Sequence, residues 1–354
     1  MQKTIIAVII IFLVSVIIGA SVVLILGARG NAVKETEKKT EETAPGETIL
    51  VSANRGETWE KAKLPGVLKI RDFFVSRQKK GVILAITEDS GIFVKKKDGD
   101  SWEKIPFTEI KDETKYYFLN EDMSGNFYIS FYAGGRGSVL KYNYVSGKEE
   151  EIFETPLSRY AVFGVKVSSS GNTVQLVSSD GGFYESRDAG FTWRIIKRFD
   201  KGLLDMELNR VTGEMWLITS ENEIFKALDN GRVFRTVSGG LKNFKNANKI
   251  EDLFYDEKSG FLYLASSYGL LRAKNGEDNW SALPLILPPQ SLPVNAVYTD
   301  PEFSEIIYAG HGNRFYKSND SGASWRVVNL PTERTISKIA VDSLDSSMIY
   351  VGLK

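Results

Sequence analysis

The sequence predicts an all-β protein, a β-propeller of seven four-stranded blades whose N- and C-terminal strands close one blade, preceded by one transmembrane helix. Three observations carry this. A turn motif recurs about every 44 residues, short apolar runs bounded by Gly, Asp, Asn and Ser fill the space between copies, and one long apolar stretch is confined to the N-terminus. A period of about 40–50 residues is the length of one four-stranded blade.

The N-terminal stretch runs from Ile5 to Gly27, 23 residues without a charge and with Ser15 and Ser21 as its polar members. As a helix it is long enough to cross ~30 Å of hydrocarbon. A cleaved secretory signal has an apolar region of ~7–15 residues, so a retained signal-anchor helix over 1–28 is expected, although the small residues Gly27 and Ala28 also fit cleavage. Lys3 precedes the stretch and Arg29, Lys34, Lys38 and Lys39 follow it, which leaves the positive-inside count ambiguous. The large domain behind a first apolar segment is expected to be translocated. That places the protein in the cytoplasmic membrane as a single pass, with its folded part on the extracytoplasmic side. Residues 29–47, rich in Lys, Glu and Thr and ending near Pro45 and Gly46, are too polar to order themselves and form a disordered linker.

Residues 48–354 carry the repeat. Three copies obey Ser-x-Asp/Asn-x-Gly-x-Ser/Thr-Trp: Ser52, Asn54, Gly56 and Trp59; Ser186, Asp188, Gly190 and Trp193; Ser318, Asp320, Gly322 and Trp325. Weaker copies hold Asp98, Gly99 and Trp102; Asp229, Gly231 and Phe234; and Asn275 and Trp280, while Val145 to Glu150 occupies the seventh place without an aromatic. Gly supplies a positive φ in such a turn, Asp or Asn bonds nearby backbone N–H groups, and Trp plugs the space beneath. The box is therefore a folding device. Reading Asp188 or Asp320 as a catalytic carboxylate or a calcium ligand would need a cluster of oxygens converging on one point.

Between boxes, runs such as Val82 to Ile86, Met215 to Ile218, Phe261 to Leu264 and Ile306 to Ala309 read as second strands. Gly91 to Lys95, Gly182 to Glu185 and Arg314 to Lys317 read as third strands, and Trp193 to Ile196 as a fourth. The first box follows a third strand, Ile49 to Val51, with no first or second strand before it. Those two appear at the other end as Ile336 to Val341 and Met348 to Val351, so the termini complete one blade and remove an exposed sheet edge.

Composition excludes several functions. Lys plus Arg and Asp plus Glu both total 45, which argues against nucleic acid as a partner. The absence of cysteine removes disulfides and thiolate chemistry, and the single histidine, His311, makes a His-rich zinc site hard to build. No cofactor, metal or catalytic residue is assigned. In a propeller, the loops after the second and fourth strands gather on one face around the channel. That face carries Lys111, Arg136, Arg159, Asp180, Tyr268, His311 and Arg334, a mixed polar rim that also reads as ordinary solvated loop residues. Ser281 to Pro293 departs from the period and is apolar and Pro-rich; within it Leu285 and Ile286 are the best candidates for a partner or membrane contact.

The stretch from Ile307 to Trp325, Ile-Tyr-Ala-Gly followed by Phe-Tyr-Lys-Ser-Asn-Asp-Ser-Gly-Ala-Ser-Trp, resembles Asp-box (BNR-type) propellers, a superfamily that includes sialidases, sortilin ectodomains and photosystem II assembly factors. The resemblance covers residues 48–354. A single seven-bladed domain behind a membrane segment is most similar to the photosystem II assembly/stability factor-like bacterial propellers; sortilin-like domains have ten blades and a Cys-rich region. The resemblance implies a non-enzymatic, protein-binding scaffold or assembly factor for a cell-envelope or membrane complex, held to the membrane by its N-terminal helix. The alternative it implies is a carbohydrate-binding protein or sialidase-like glycosidase acting on envelope or extracellular glycans. Sialidases have three substrate-clamping arginines and an early Arg-Ile-Pro; this chain has no Arg-Ile-Pro, and Arg71 alone occupies roughly the right strand.

Overall fold

The computed structural model describes residues 49–354 apart from 63, 65–69, 89, 97–100, 109–113, 169, 210, 230 and 288–292. The helix expected over 1–28, the linker over 29–47, and the candidate residues Asp98, Gly99 and Lys111 lie outside the described residues. Among the described residues no helix is long and apolar enough to cross a membrane.

Twenty-eight strands form seven four-stranded antiparallel sheets among the described residues. The chain opens with β1 (Ile49–Ser52) and β2 (Glu60–Lys61). Blade 1 is β3 (Ile70–Val75), β4 (Ile83–Thr87), β5 (Ile92–Lys95) and β6 (Trp102–Lys104). Blade 2 is β7 (Lys115–Glu121), β8 (Asn126–Ala133), β9 (Arg136–Asn143) and β10 (Glu149–Glu154). Blade 3 is β11 (Val162–Val167), β12 (Val174–Ser178), β13 (Gly182–Ser186) and β14 (Arg194–Arg198). Blade 4 is β15 (Leu203–Leu208), β16 (Met215–Thr219), β17 (Ile224–Leu228) and β18 (Val233–Thr236). Blade 5 is β19 (Ile250–Asp256), β20 (Phe261–Ser266), β21 (Leu270–Lys274) and β22 (Ser281–Ala282). Blade 6 is β23 (Ala296–Thr299), β24 (Ile307–His311), β25 (Arg314–Ser318) and β26 (Arg326–Asn329). Blade 7 takes β27 (Ile336–Val341) and β28 (Ile349–Leu353) from the C-terminal end and β1 and β2 from the start.

The closure expected from the sequence is present. β1 runs antiparallel to β28 with Leu50 opposite Val351 and Val51 opposite Tyr350. The innermost strands β3, β7, β11, β15, β19, β23 and β27 lie side by side in order, and β27 returns to β3. The second strands are buried on both faces because each lies between two sheet neighbours and two adjoining blades, which is why β4, β12, β16, β24 and β28 read as continuous apolar runs rather than alternations. Apolar clusters fill the seam between each pair of neighbouring blades. Helical geometry among the described residues is limited to a 3-10 turn, Gly239–Asn243, where the Asp278 carboxylate accepts from the Gly240 N–H.

The repeated turn works as expected, with two additions. In its three full copies the Ser hydroxyl accepts from the Gly N–H at 2.8 Å and donates to the Asp or Asn side chain at 2.8–2.9 Å. That side chain accepts from the N–H of Thr58, Thr192 or Ser324. Hydroxyl bonds from Thr192 and Ser324 hold Asp188 and Asp320 down to about 2, so these carboxylates serve their own turns. The first addition is that the residue before Gly is also left-handed: Arg55, Ala189 and Ser321 have φ of 55°, 59° and 57°. The second is that glycine is needed for closeness as well as for φ. A Cβ at Gly56 would lie 2.6 Å from Phe315, and one at Gly276 would lie 2.2 Å from the Trp216 ring, both on the preceding blade. The indoles likewise plug the seam: Trp193 Nε1 donates to the Ile152 carbonyl of blade 2, and Trp280 Nε1 to the Val237 carbonyl of blade 4.

Candidate functional site: the channel and its rim

Six of the seven innermost strands begin with a bulge, between Ile70 and Asp72, Tyr116 and Phe118, Val162 and Gly164, Leu203 and Asp205, Ile250 and Asp252, and Ile336 and Lys338. A bulge puts two residues opposite one and re-aims the side chains that follow. Its repetition sets successive layers around the channel. The bulged residues Arg71, Tyr117, Phe163 and Leu204 stand at the end where the loops after the second and fourth strands gather. The Arg71 guanidinium lies 4.6 Å over the Tyr117 ring, and Tyr117 meets Phe163 edge to face at 5.0 Å. Leu204 is exposed beside them in register.

Below this row lies a cavity of about 190 Å³ lined by Asp205, Asp252, Lys166, Glu207, Phe254 and Tyr298, among others. Its lining continues through Arg77, Lys166, Glu207, Phe254 and Tyr298 toward the turns after the first strands, the face opposite the predicted rim. Lys166 pairs with Glu207 at 3.0 Å, and Lys338 with Asp72 at 2.8 Å. Asp252 makes no such ion pair among the described residues: its side chain accepts from the Val297 N–H at 2.9 Å, and burial pushes it up to about 7. Burial likewise raises Asp205, offset in part by the Lys166 charge and reinforced by Glu207. Both carboxyls lie deep in the protein's mass while keeping part of their surface open to the channel. The channel thus holds carboxyls that take up a proton near neutrality beside two formed ion pairs. Among the described residues no group of His, Cys, Asp and Glu is placed to hold a metal ion.

Lys111 apart, which lies outside the described residues, the sequence-predicted rim residues stand at loops of one face, and most of their polar groups are engaged locally. Arg136 opens β9 and donates to the Glu154 carboxylate and the Thr155 and Pro156 carbonyls. Arg159 is exposed with φ 72°, its N–H donating to the Gly135 carbonyl. Burial alone would raise Asp180, but hydrogen bonds from Ser178, Arg198 and the Gly182 N–H hold it below the usual carboxylate range. Tyr268 packs edge-on against Phe244 at 5.1 Å. His311 is buried and its Nδ1 lies 2.8 Å from the Pro293 carbonyl; since a carbonyl accepts, Nδ1 carries the proton. The Arg334 N–H donates to Thr332 Oγ1. Leu285 packs against the seam of blades 5 and 6, whereas Ile286 is 87% exposed. The channel residues escaped the sequence reading because their chemistry differs from blade to blade. The signal that would have phased them is the polar residue closing each inner strand, Ser76, Asp122, Ser168, Asn209, Asp256, Asp300 or Asp342, whose side chain accepts a nearby backbone N–H.

No known protein family matches the sequence, and no curated protein resembles it. Solved structures share the fold. A GH74 xyloglucanase from Xanthomonas campestris superposes with a TM-score of 0.64 at 15% identity over 83% of this chain and 52% of its own. YCF48 from Cyanidioschyzon merolae gives 0.64 at 15% identity over 83% of this chain and 98% of its own, and YCF48 bound to D1 peptide gives 0.62 at 15% over 82% and 95%. The chain spans about half the length of the xyloglucanase and nearly all of YCF48. At these identities the likeness shows the fold alone. The class so defined is a single seven-bladed β-propeller.

Proposed function

We propose that this protein is a membrane-anchored, extracytoplasmic scaffold that binds a protein partner and assists assembly of a cell-envelope or membrane complex. The row Arg71, Tyr117, Phe163 and Leu204 carries this reading, since aromatic and arginine side chains supply most of the binding energy at protein interfaces. The repeated turns are read as Asp-boxes and residues 1–28 as the anchor. Similarity to YCF48, one structure of which contains a D1 peptide, supports peptide or protein binding at such a fold. The test is crosslinking of the full-length chain in its native membranes with partners identified by mass spectrometry, comparing wild type with Tyr117→Ala/Phe163→Ala and with Ile286→Ser. Recovery of one membrane complex by wild type and its loss in the double variant is expected. Unchanged recovery in a folded double variant contradicts the assignment of the row.

A second reading, glycan binding or hydrolysis, is favoured by Asp205 and Asp252, because glycoside hydrolysis ordinarily uses two carboxyl groups with one held protonated. It predicts release of reducing ends from envelope polysaccharide that Asp252→Asn abolishes; polysaccharide left intact by the wild-type protein removes it.

A further inference from the structure

The outermost strands differ sharply in charge. β2 and β6 each carry one Glu and one Lys, β22 carries no charge, and β18 and β26 each carry a single Arg. β10 instead carries four carboxylates, at Glu149, Glu150, Glu151 and Glu154, and β14 carries three cations, at Arg194, Lys197 and Arg198. These two strands belong to neighbouring blades. Opposite charges are therefore concentrated one blade apart on the rim of a chain that is neutral as a whole. The ion pairs seen on them stay within each blade: Arg194 with Glu185, Arg198 with Asp180, Glu154 with Arg136, Glu150 with Lys148. Glu151 and Lys197 are exposed and make no ion pair among the described residues.

We propose that the rim of blades 2 and 3 is a self-association surface whose partner is a second copy of this chain. All fourth strands run the same way along the ring axis, from the turn after the third strand to the loop before the next blade. A two-fold axis parallel to the ring axis, lying just outside the rim between blades 2 and 3, keeps that direction while it exchanges the two blades. It sets β10 of one copy parallel to β14 of the other, with the Glu149 end facing Arg194 and the Glu154 end facing Arg198. The same operation sets β14 against β10, so one symmetry element satisfies both halves, as an isologous interface requires. Charge complementarity selects this occupant, because the chain itself carries the acidic and basic strands in the matching order. Pairing β10 with β10 places like charges opposite each other and is disfavoured, which fixes the register. The contact joins exposed charges and is therefore strongly salt-dependent.

The test is sedimentation velocity of the full-length chain in a non-ionic detergent at ~20 mM and ~500 mM NaCl, conditions that move the screening length from roughly 20 Å to a few Å. A two-copy species at low salt that dissociates at high salt is expected. Glu151→Lys and Lys197→Glu, each alone, are expected to weaken it at least tenfold. An equimolar mixture of the two variants restores it, because each reversed strand then meets its complement. A single-copy wild type at low salt, a dimer indifferent to salt or to either reversal, or a mixture that fails to re-form the dimer overturns the proposal. Unchanged circular dichroism of both variants shows that lost association is not lost folding.

Discussion

The turns after the third strands and the channel walls are both repeated around the ring, yet they repeat in different ways. At the turns the side chains themselves recur: Ser186 and Ser318 make the same bonds in blades 3 and 6, and the glycines Gly56, Gly190 and Gly322 each face the preceding blade. In the channel the position recurs and the chemistry does not. One layer holds Asp72, Phe118, Asp205, Asp252 and Lys338 at equivalent places after the bulge. A chain with internal repeats is its own comparison set. Positions that stay constant hold the blades together, and positions free to vary under the same backbone geometry are where a partner or ligand can be recognised.

That contrast can be broken at its strongest point by Gly276→Ala. The glycine has φ 57° and leaves no room for a Cβ against Trp216, so strain and overpacking together are expected to remove about 3–5 kcal/mol, read as a shift of the urea midpoint. Next comes the channel's response to pH. With Asp252 raised to about 7 and an unfolded value near 4, the folded state keeps its proton where the unfolded chain has lost it. Stability from this group is therefore highest below about pH 4 and falls as pH rises toward 7. Between pH 5 and 8 the loss is about 2–3 kcal/mol, and Asp252→Asn is expected to flatten that part of the profile. A profile unchanged by the substitution contradicts the burial assigned to this carboxyl.

Ser186→Ala removes the acceptor of the Gly190 N–H and is expected to cost about 1 kcal/mol by the same measurement. The smallest effect is the most informative about the face. Arg159→Gly relieves a left-handed arginine and should raise stability by less than ~1 kcal/mol. If Arg159 contacts the partner, the same substitution weakens capture while the protein becomes more stable, separating a binding role from a structural one.

The ring was legible because boxes spaced by 41–48 residues count the blades, and because Ile336 to Val341 and Met348 to Val351 supply the strands missing before Ile49. The channel was not, because an inner strand such as Leu203–Leu208 shows neither a clean alternation nor a constant residue. Its bulge shifts the side-chain phase by one, and a one-residue shift exchanges the two faces of a strand. The predicted rim was legible as a place, since loop position follows from strand order. Which of its groups are engaged locally was not, because the partners of Arg136 and Asp180 lie 18 residues away across a hairpin.

The most direct test of the scaffold reading is photo-crosslinking of the full-length chain in its native membranes, with the reactive residue placed singly at Leu204 or Tyr268 on one face and at Phe191 or Val211 on the other. The account predicts a discrete crosslinked protein from the first pair and none from the second. Equal crosslinking from both faces, or crosslinks confined to Phe191 and Val211, would contradict it.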